Sequence, residues 1–543
     1  MADEKPPAQA PGPSQAFTAH KKRSDKIWTD RNEWRDVVRS CYDYVAPYRK
    51  STDYTKDAPG TQNLRVFDNT LAQSWVRSTG RLQQDLFPSG EMFFSLQPGP
   101  AVEGFNIDRE EARYQLETVT DQMQPIFLNG EWDAQNFEML GDANISTGFM
   151  MIIDGDDYEP VRFITAAIEE VALDSGPYGR FTLLTFRRKW TYRNIKDNWP
   201  RGQFDADFVV QLTNNPDTEV ELCQDVVWNS ARRIWEFRAY TVKCSKFFHT
   251  EESFECPWVV PRYFRMPNQA YGFGPTLLQL PTAKTLNKTL EASLMAAALA
   301  LGGIFTQVDD GVFNPDNARI GPGEIWKVAR NGGALGPSIS RLDIPGNFNI
   351  GHIVLQDLRQ QIHAGMNDDQ LPPDGQSPRS AAEIVERIKR LSRDNAGAAG
   401  RLIHECAQPV VRRVMEILWR KGALPMRFSH PMLMQIEVTS PLAQAFKMQR
   451  VKRVVDWAQI VLSLGGADKL KRLMPEDTTF ADMAADMGVP SKHVRRPSTR
   501  EEIDQTVQEL VQMALAQAAE AQRQSTLPPP APNGDPANAE MSA

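Results

Sequence analysis

Acidic clusters are the only groupings in this 543-residue chain that have the residue types for metal or acid–base chemistry. In the run IIDGDDY, Asp154, Asp156 and Asp157 follow an apolar stretch, and three carboxylates so close together have the chemistry to hold a divalent cation. An Asp-Gly pair after a strand is also the ordinary signal of a hairpin, and that is the preferred reading here. Asp309, Asp310 and Gly311 repeat the same choice. The seven histidines form no HExxH or HxH arrangement and no pair with cysteine at ligand spacing. His404 and Cys406 stand two apart in a helical stretch, where they face different directions. No GxxxxGK[ST] loop occurs, and GFGPT at 272–276 reads as the turn that starts a helix, since Pro275 removes one of the N–H groups a phosphate cradle needs. No nucleophile elbow stands out. The chain carries no enzyme signature, and no catalytic residue, metal or cofactor is expected.

Composition narrows the class further. Hydrophobic residues make up 41% and there are 34 glycines, an ordinary globular balance. The length suggests about three to four domains. The formal charge of −8 disfavours tight coating of a nucleic acid, although local basic faces remain open. The clearest such stretch is 379–421, with ten basic residues against five acidic ones, including Arg387, Lys389, Arg390 and Arg393. It reads either as contact with a polyanion or as an ion-paired face. Five scattered cysteines without a CxxC pair fit free thiols. The N-terminus does not read as a signal peptide, and the longest apolar run, Ala292–Phe305, is too short for a membrane span.

The elements that position these residues follow from periodicity. Residues 1–23 read as a flexible arm, 24–46 as a helix and 64–87 as a second helix that ends at LFPSG before the strand MFFSL. Further helices are expected at about 108–128 and 131–145, and short β-rich runs follow from 148 to about 270. Leu286, Leu290, Leu294, Ala297 and Leu301 then form one helical stripe, with Lys284 and Lys288 off it. A Gly- and Pro-rich strand-and-turn module over 302–349 separates this helix from another at 350–366. The polar loop 367–378 contains Asp368, Asp369 and Gln370 and no Lys or Arg. Ser380 and Glu383 make a capping box for a long helix in which Gly397, Gly400 and Pro409 predict a bend or break. Another helix runs from Ser440-Pro441 to Gly465-Gly466, and the Pro-rich tail from 525 cannot bury enough apolar surface to order itself.

Five segments, in this order, resemble the portal proteins, or head-to-tail connectors, of short-tailed, podovirus-type bacteriophages. They are VFDNTLAQSWVRSTGRLQQDLFPSGEMFFSL, AYGFGPTLLQLPTAKTLNKTLEASLMAA, DDGVFNPDNARIGPGEIWKV, RSAAEIVERIKRL and VTSPLAQAFKMQ. The family commonly has Arg where Phe273 stands, and its aromatic–Arg pairing near 262–264 is rearranged here as RYFR. The resemblance implies an α+β, predominantly helical portal fold that assembles into a ring, usually of twelve chains, around a channel. It implies a wing over 24–274, stem helices at 275–301 and 350–366, a clip at 302–349 and a tunnel loop at 367–378. A long wing helix at 379–425 and a crown-side helical region at 426–524 complete it. Lys284, Lys288, Asp368, Asp369 and Gln370 become candidates to face the channel, and the Leu286–Leu301 stripe a candidate for stem packing. The implied partners are double-stranded DNA, the terminase large subunit, the major capsid and scaffolding proteins, and tail adaptor or nozzle proteins. No membrane is implied, and the implied place is the portal vertex of the virion, after assembly in the bacterial cytoplasm. Another virion structural protein and, less favoured, a metal-dependent nuclease using the Asp154 cluster are the competing readings.

Overall fold

The computed structural model describes residues 13–47, 66–302, 304–307, 339–342, 348–368, 400–425, 432–439, 441–473 and 483–484, less 91, 103, 105–108, 177–178, 266 and 268. The architecture is mixed helix and sheet. The chain divides into two compact units, Met1–Ala443 and Gln444–Ala543.

Helix α1, Pro13–Asp30, occupies much of the expected arm over 1–23, which is thus helical from Pro13 onward. Its inward stripe is Phe17, His20, Ser24 and Ile27, all buried. Two of these four are polar, so hydrophobic periodicity alone misses the stripe. Their partners lie on a distant sheet: His20 Nε2 is 2.7 Å from Asp225 Oδ2, and Ser24 Oγ is 3.0 Å from Thr185 Oγ1. A break at Arg31 then separates α1 from α2, Asn32–Val45, where a single helix over 24–46 is expected. Helix α3, Thr70–Leu86, starts later than the sequence suggests, with the Asp68 carboxylate accepting the Thr70 N–H.

Strand β1, Phe94–Pro98, precedes α4, Arg109–Asn129, and α5, Trp132–Ile145. Nine strands follow: β2 (Met150–Asp154), β3 (Val161–Thr165), β4 (Val171–Leu173), β5 (Leu183–Thr191), β6 (Glu219–Asn229), β7 (Ile234–Thr241), β8 (His249–Ser253), β9 (Trp258–Val259) and β10 (Phe264–Arg265). Two short helices, α6 (Tyr192–Asn198) and α7 (Ala206–Asn214), interrupt them. The pairing is antiparallel throughout, in a five-stranded sheet of order β4-β5-β6-β7-β8 and a three-stranded sheet of order β3-β2-β9.

Strand β11, Gly272–Phe273, pairs with β10 and leads directly into α8, Pro275–Gly302. Strands β12, Ile304–Gln307, and β13, Ile339–Leu342, pair antiparallel, and α9, Phe348–Gly365, brings the chain back. After the undescribed stretch 369–399 a π-helical turn at Ile403–Ala407 precedes α10, Gln408–Arg420. Pro409 accounts for the local geometry: its nitrogen donates nothing and its ring crowds the carbonyl four residues back. The turn widens and the Gln408 N–H reaches Ile403 O. Strand β14, Met434–Val438, closes on β1, a pairing across some 340 residues. Helix α11, Pro441–Leu473, is interrupted at Gly466, where φ is 75°.

Two apolar cores hold the first unit. One gathers Phe87, Phe93, Phe127, Trp132 and Phe163 with the buried face of α10. The rings of this group meet edge-on, stacked or tilted, with centroids 5.1 to 5.9 Å apart. The other joins α2, α3 and the sheets to Leu280, Ala283 and Leu286 of α8 and Ile362 and Met366 at the end of α9.

Candidate functional site

The foot of α8 and the end of α9 gather a set of specific side-chain contacts. The turn at its foot has no room for side chains at two positions. A Cβ on Gly274 would lie 1.8 Å from Asn144 O, and one on Gly272 would lie 2.7 Å from Phe264 O. The Gly274 N–H instead donates to Ile145 O at 2.9 Å, and Pro275 opens the helix without a wasted donor. Tyr271 stacks on Trp34 at 5.6 Å and its hydroxyl accepts the Leu173 N–H. Burial pushes that phenol up to about 12.

Arg262 braces the turn from below. Its Nε and Nη2 donate to the two oxygens of Glu405 at 2.9 and 2.7 Å, and Nη1 donates to Ala270 O at 2.9 Å. Glu405 lies within the π-helical turn, so the irregularity forced by Pro409 includes the carboxylate that Arg262 needs. The rearranged RYFR sequence is therefore a paired element: Phe264 faces Phe273 across β10 and β11, with ring centroids 5.5 Å apart.

Helix α9 is tied to α3 and its approach at three levels. Arg359 donates to Asp68 at 2.8 and 3.1 Å. Burial raises Asp68, but the bonds from Thr70 and Arg359 outweigh it and its affinity for a proton ends lowered. Ser74 Oγ donates to Asp368 Oδ2 at 2.9 Å, with His363 Nδ1 3.0 Å from the same oxygen and Arg77 at 3.6 Å. Arg81 donates to Asn367 O at 2.6 Å. On α8, the Asn287 side chain accepts the Phe67 N–H at 2.6 Å.

The sequence-derived candidates fall into three groups. Leu286 is 1% exposed, Leu290 and Ala297 are half-buried, and Leu294 is 50% exposed, while the side chain of Leu301 is outside the described residues. Lys284 is half-buried and acts on the Cys41 thiol, whereas Lys288 is exposed one turn further out. Asp368, expected in an open polar loop, has a buried carboxylate held by Ser74 and His363. Asp369, Gln370, Arg387, Lys389, Arg390 and Arg393 lie outside the described residues, as do Asp309 and Asp310. Sequence reasoning missed Ser74, Arg262, Arg359 and Glu405, because each acts through a partner far away in the chain.

The acidic cluster serves the fold. Asp154 accepts from Arg420 at 2.9 Å, and Asp156 takes the N–H groups of Tyr158 and Glu159 and the Arg162 guanidinium. No group of three ligands suited to a metal occurs among the described residues. The described end of the basic stretch is ion-paired: Arg413 with Glu416 at 2.9 Å, both buried, and Arg420 with Asp154 and Glu251. No helix among the described residues is long and apolar enough to cross a membrane.

No curated protein matches the chain. Among the solved structures similar to it are two of gene transfer agent particles. One is described as "Virion of native gene transfer agent (GTA) particle", with 11% identity and a TM-score of 0.34, covering 80% of this chain and 94% of that one. The other is "Neck of empty GTA particle computed with C6 symmetry", with 11% identity and a TM-score of 0.33, covering 82% and 98%. The family described as "Bacteriophage head to tail connecting protein" matches residues 18–494, nearly the whole of the chain. Since the match takes in the glycine turn, α8 and α9 and the bracing around them, the chain belongs to the bacteriophage head-to-tail connecting proteins.

Proposed function

We propose that the protein is the portal of a short-tailed phage. Copies of it form a ring of twelve at one capsid vertex, and the genome enters and leaves through the central channel. The ring docks the terminase motor during packaging and the tail adaptor or nozzle proteins afterwards, and it assembles with capsid and scaffolding proteins in the host cytoplasm. In this reading 24–274 is the wing, α8 and α9 are the stem, 302–349 is the clip and 367–378 begins the tunnel loop. The segments 379–425 and 426–524 are the long wing helix and the crown side. Its role is structural rather than catalytic.

The observation that carries the reading, beside the family, is the excursion α8–β12–β13–α9. Its root is buried and hydrogen-bonded, yet Leu294 and Met295 on α8 and Ile353 and Val354 on α9 are 42 to 65% exposed. Apolar side chains on the outer part of a paired excursion find cover when copies of it stand side by side, as they do in a ring closed by one repeated heterologous contact. In this reading the channel must favour passage over capture, because each retained phosphate contact adds salt-dependent sticking. Lys288 is the exposed cation best placed on the stem to offset repulsion.

Native mass spectrometry of the purified protein with negative-stain images of the same sample tests the assembly. Twelve chains of 61.2 kDa give a particle of about 730 kDa with a central hole. A species that stays at one chain at every concentration, with scaffolding and capsid proteins also present, overturns the ring.

A further inference from the structure

Strand β3 ends its three-stranded sheet, and one of its backbone edges pairs with no other strand, although Val161 and Phe163 on it are only 6 and 3% exposed. The Gly155 N–H pairs with Pro160 O, and the Ala166 N–H with Phe149 O. In an antiparallel ladder this sends the backbone groups of Arg162 and Ile164 toward β2 and those of Val161, Phe163 and Thr165 outward. The outward N–H of Thr165 is taken by Gln135 Oε1 of α5 at 2.8 Å, a side chain standing where a neighbouring strand would be. Val161 and Phe163 have no such substitute among the described residues. Beside them lies a groove of about 520 Å³ whose far wall is the α4–α5 corner, Pro125 to Glu131. The five residues of β3 give room for roughly four to five residues of an added strand, at about 3.4 Å each.

Two further features mark the groove as a docking place. Tyr158 at its mouth is 97% exposed, an aromatic ring with an apolar body and nothing of its own chain upon it. The rim is acidic on balance: Glu131, Asp156, Asp157 and Glu159 are exposed, against the two cations Arg162 and Lys421. Arg162 is already engaged, at 2.6 Å from Asp156 and 3.7 Å from Glu159, and Lys421 spends its ammonium on Gly155 O.

We infer that the open edge of β3 receives an extended segment of a different protein, one that carries lysine or arginine and joins the sheet as a fourth strand. Backbone bonds to Val161 and Phe163 give the pairing, Tyr158 covers an apolar side chain of the guest, and the rim selects its positive charge. This site involves the connector body and does not depend on the channel reading.

The test uses the full-length assembled protein and two capped, labelled peptides, Lys-Val-Lys-Val-Lys and Glu-Val-Glu-Val-Glu, followed by fluorescence anisotropy. The lysine peptide binds and the glutamate peptide does not. Val161→Pro removes one outward N–H while leaving the bonds to β2 intact, as an edge position allows, and weakens binding at least about tenfold. Glu131→Lys and Tyr158→Ala, both at exposed positions, weaken it as well and keep the test valid if the proline variant unfolds. Equal binding of the two peptides, unchanged binding by all three variants, or no binding at all overturns the inference. Binding only to dissociated chains overturns it too, since a neighbouring copy then fills the groove.

Discussion

Replacing Glu405 with alanine tests whether the brace under the glycine turn holds the foot of α8. The side chains of Arg262 and Glu405 are 8 and 15% exposed, and their contact is bidentate. Removing the carboxylate leaves the guanidinium with Ala270 O as its remaining partner, in a site that water reaches poorly. Breaking a buried pair from one side costs about 3 to 5 kcal/mol, and the slight exposure of Glu405 favours the low end, about 3 kcal/mol. Global unfolding of a chain with two units is not a two-state process, so the loss is best read locally. The amides of Gly272 and Gly274, which donate to Thr147 Oγ1 at 2.8 Å and Ile145 O at 2.9 Å, report opening of the turn. A loss of about 3 kcal/mol lowers their hydrogen-exchange protection by roughly a hundredfold. The double variant Arg262→Met with Glu405→Leu recovers much of the protection, because it leaves no buried charge. Protection in Glu405→Ala within twofold of the original refutes the argument that this pair secures the turn.

Three further outcomes are expected. Burial pushes the thiols of Cys41, Cys223 and Cys256 up to about 12, so a disulfide reagent at pH 8 leaves them unmodified in the folded protein, and all five cysteines react once it is denatured. Glu251 is held down at about 2 by its bond to His249 and then by Arg420; its stabilising effect is present above the ordinary carboxylate value of 4.5 and fades as the pH falls toward 2. Glu251→Gln removes that part of the acid sensitivity, which a comparison of unfolding midpoints at pH 6 and pH 3 detects. Neutralising Lys284 and Lys288 together to glutamine leaves ring assembly intact but changes the amount of DNA packaged or retained, measured by nuclease protection; normal packaging and retention removes them from the channel surface.

What the sequence made legible depends on how local each signal is. Helix α8 announces itself through Pro275 at its start and a leucine every turn, and the boundaries read from those residues lie within a residue of the observed ones. The glycine turn was legible as a helix start, although not that Asn144 O and Phe264 O are what exclude a side chain there. Pro409 signalled a break without indicating that the result is one wide turn presenting Glu405. The part of α1 before residue 24 reads as an arm because the buried stripe contains His20 and Ser24, whose suitability for burial depends on Asp225 and Thr185 some 160 to 200 residues away. Asp368 was read as a loop carboxylate for the same reason: nothing near it in the chain announces Ser74.

The leucine stripe of α8 shows the limit of periodicity in another way. Leu286, Leu290 and Leu294 recur at identical spacing, yet exposure runs from 1% at the first to 50% at the last. Spacing reports that a face will be covered, and it does not say whether the cover comes from the same chain. Length decides that question. A helix of 28 residues is about 42 Å long, while among the described side chains of α8 the last buried one is Asn287, within the first half. The outer turns therefore carry the same apolar pattern beyond the reach of the core that explains it at the root. In the ring proposed above, a neighbouring copy supplies the cover that the chain's own core does not reach.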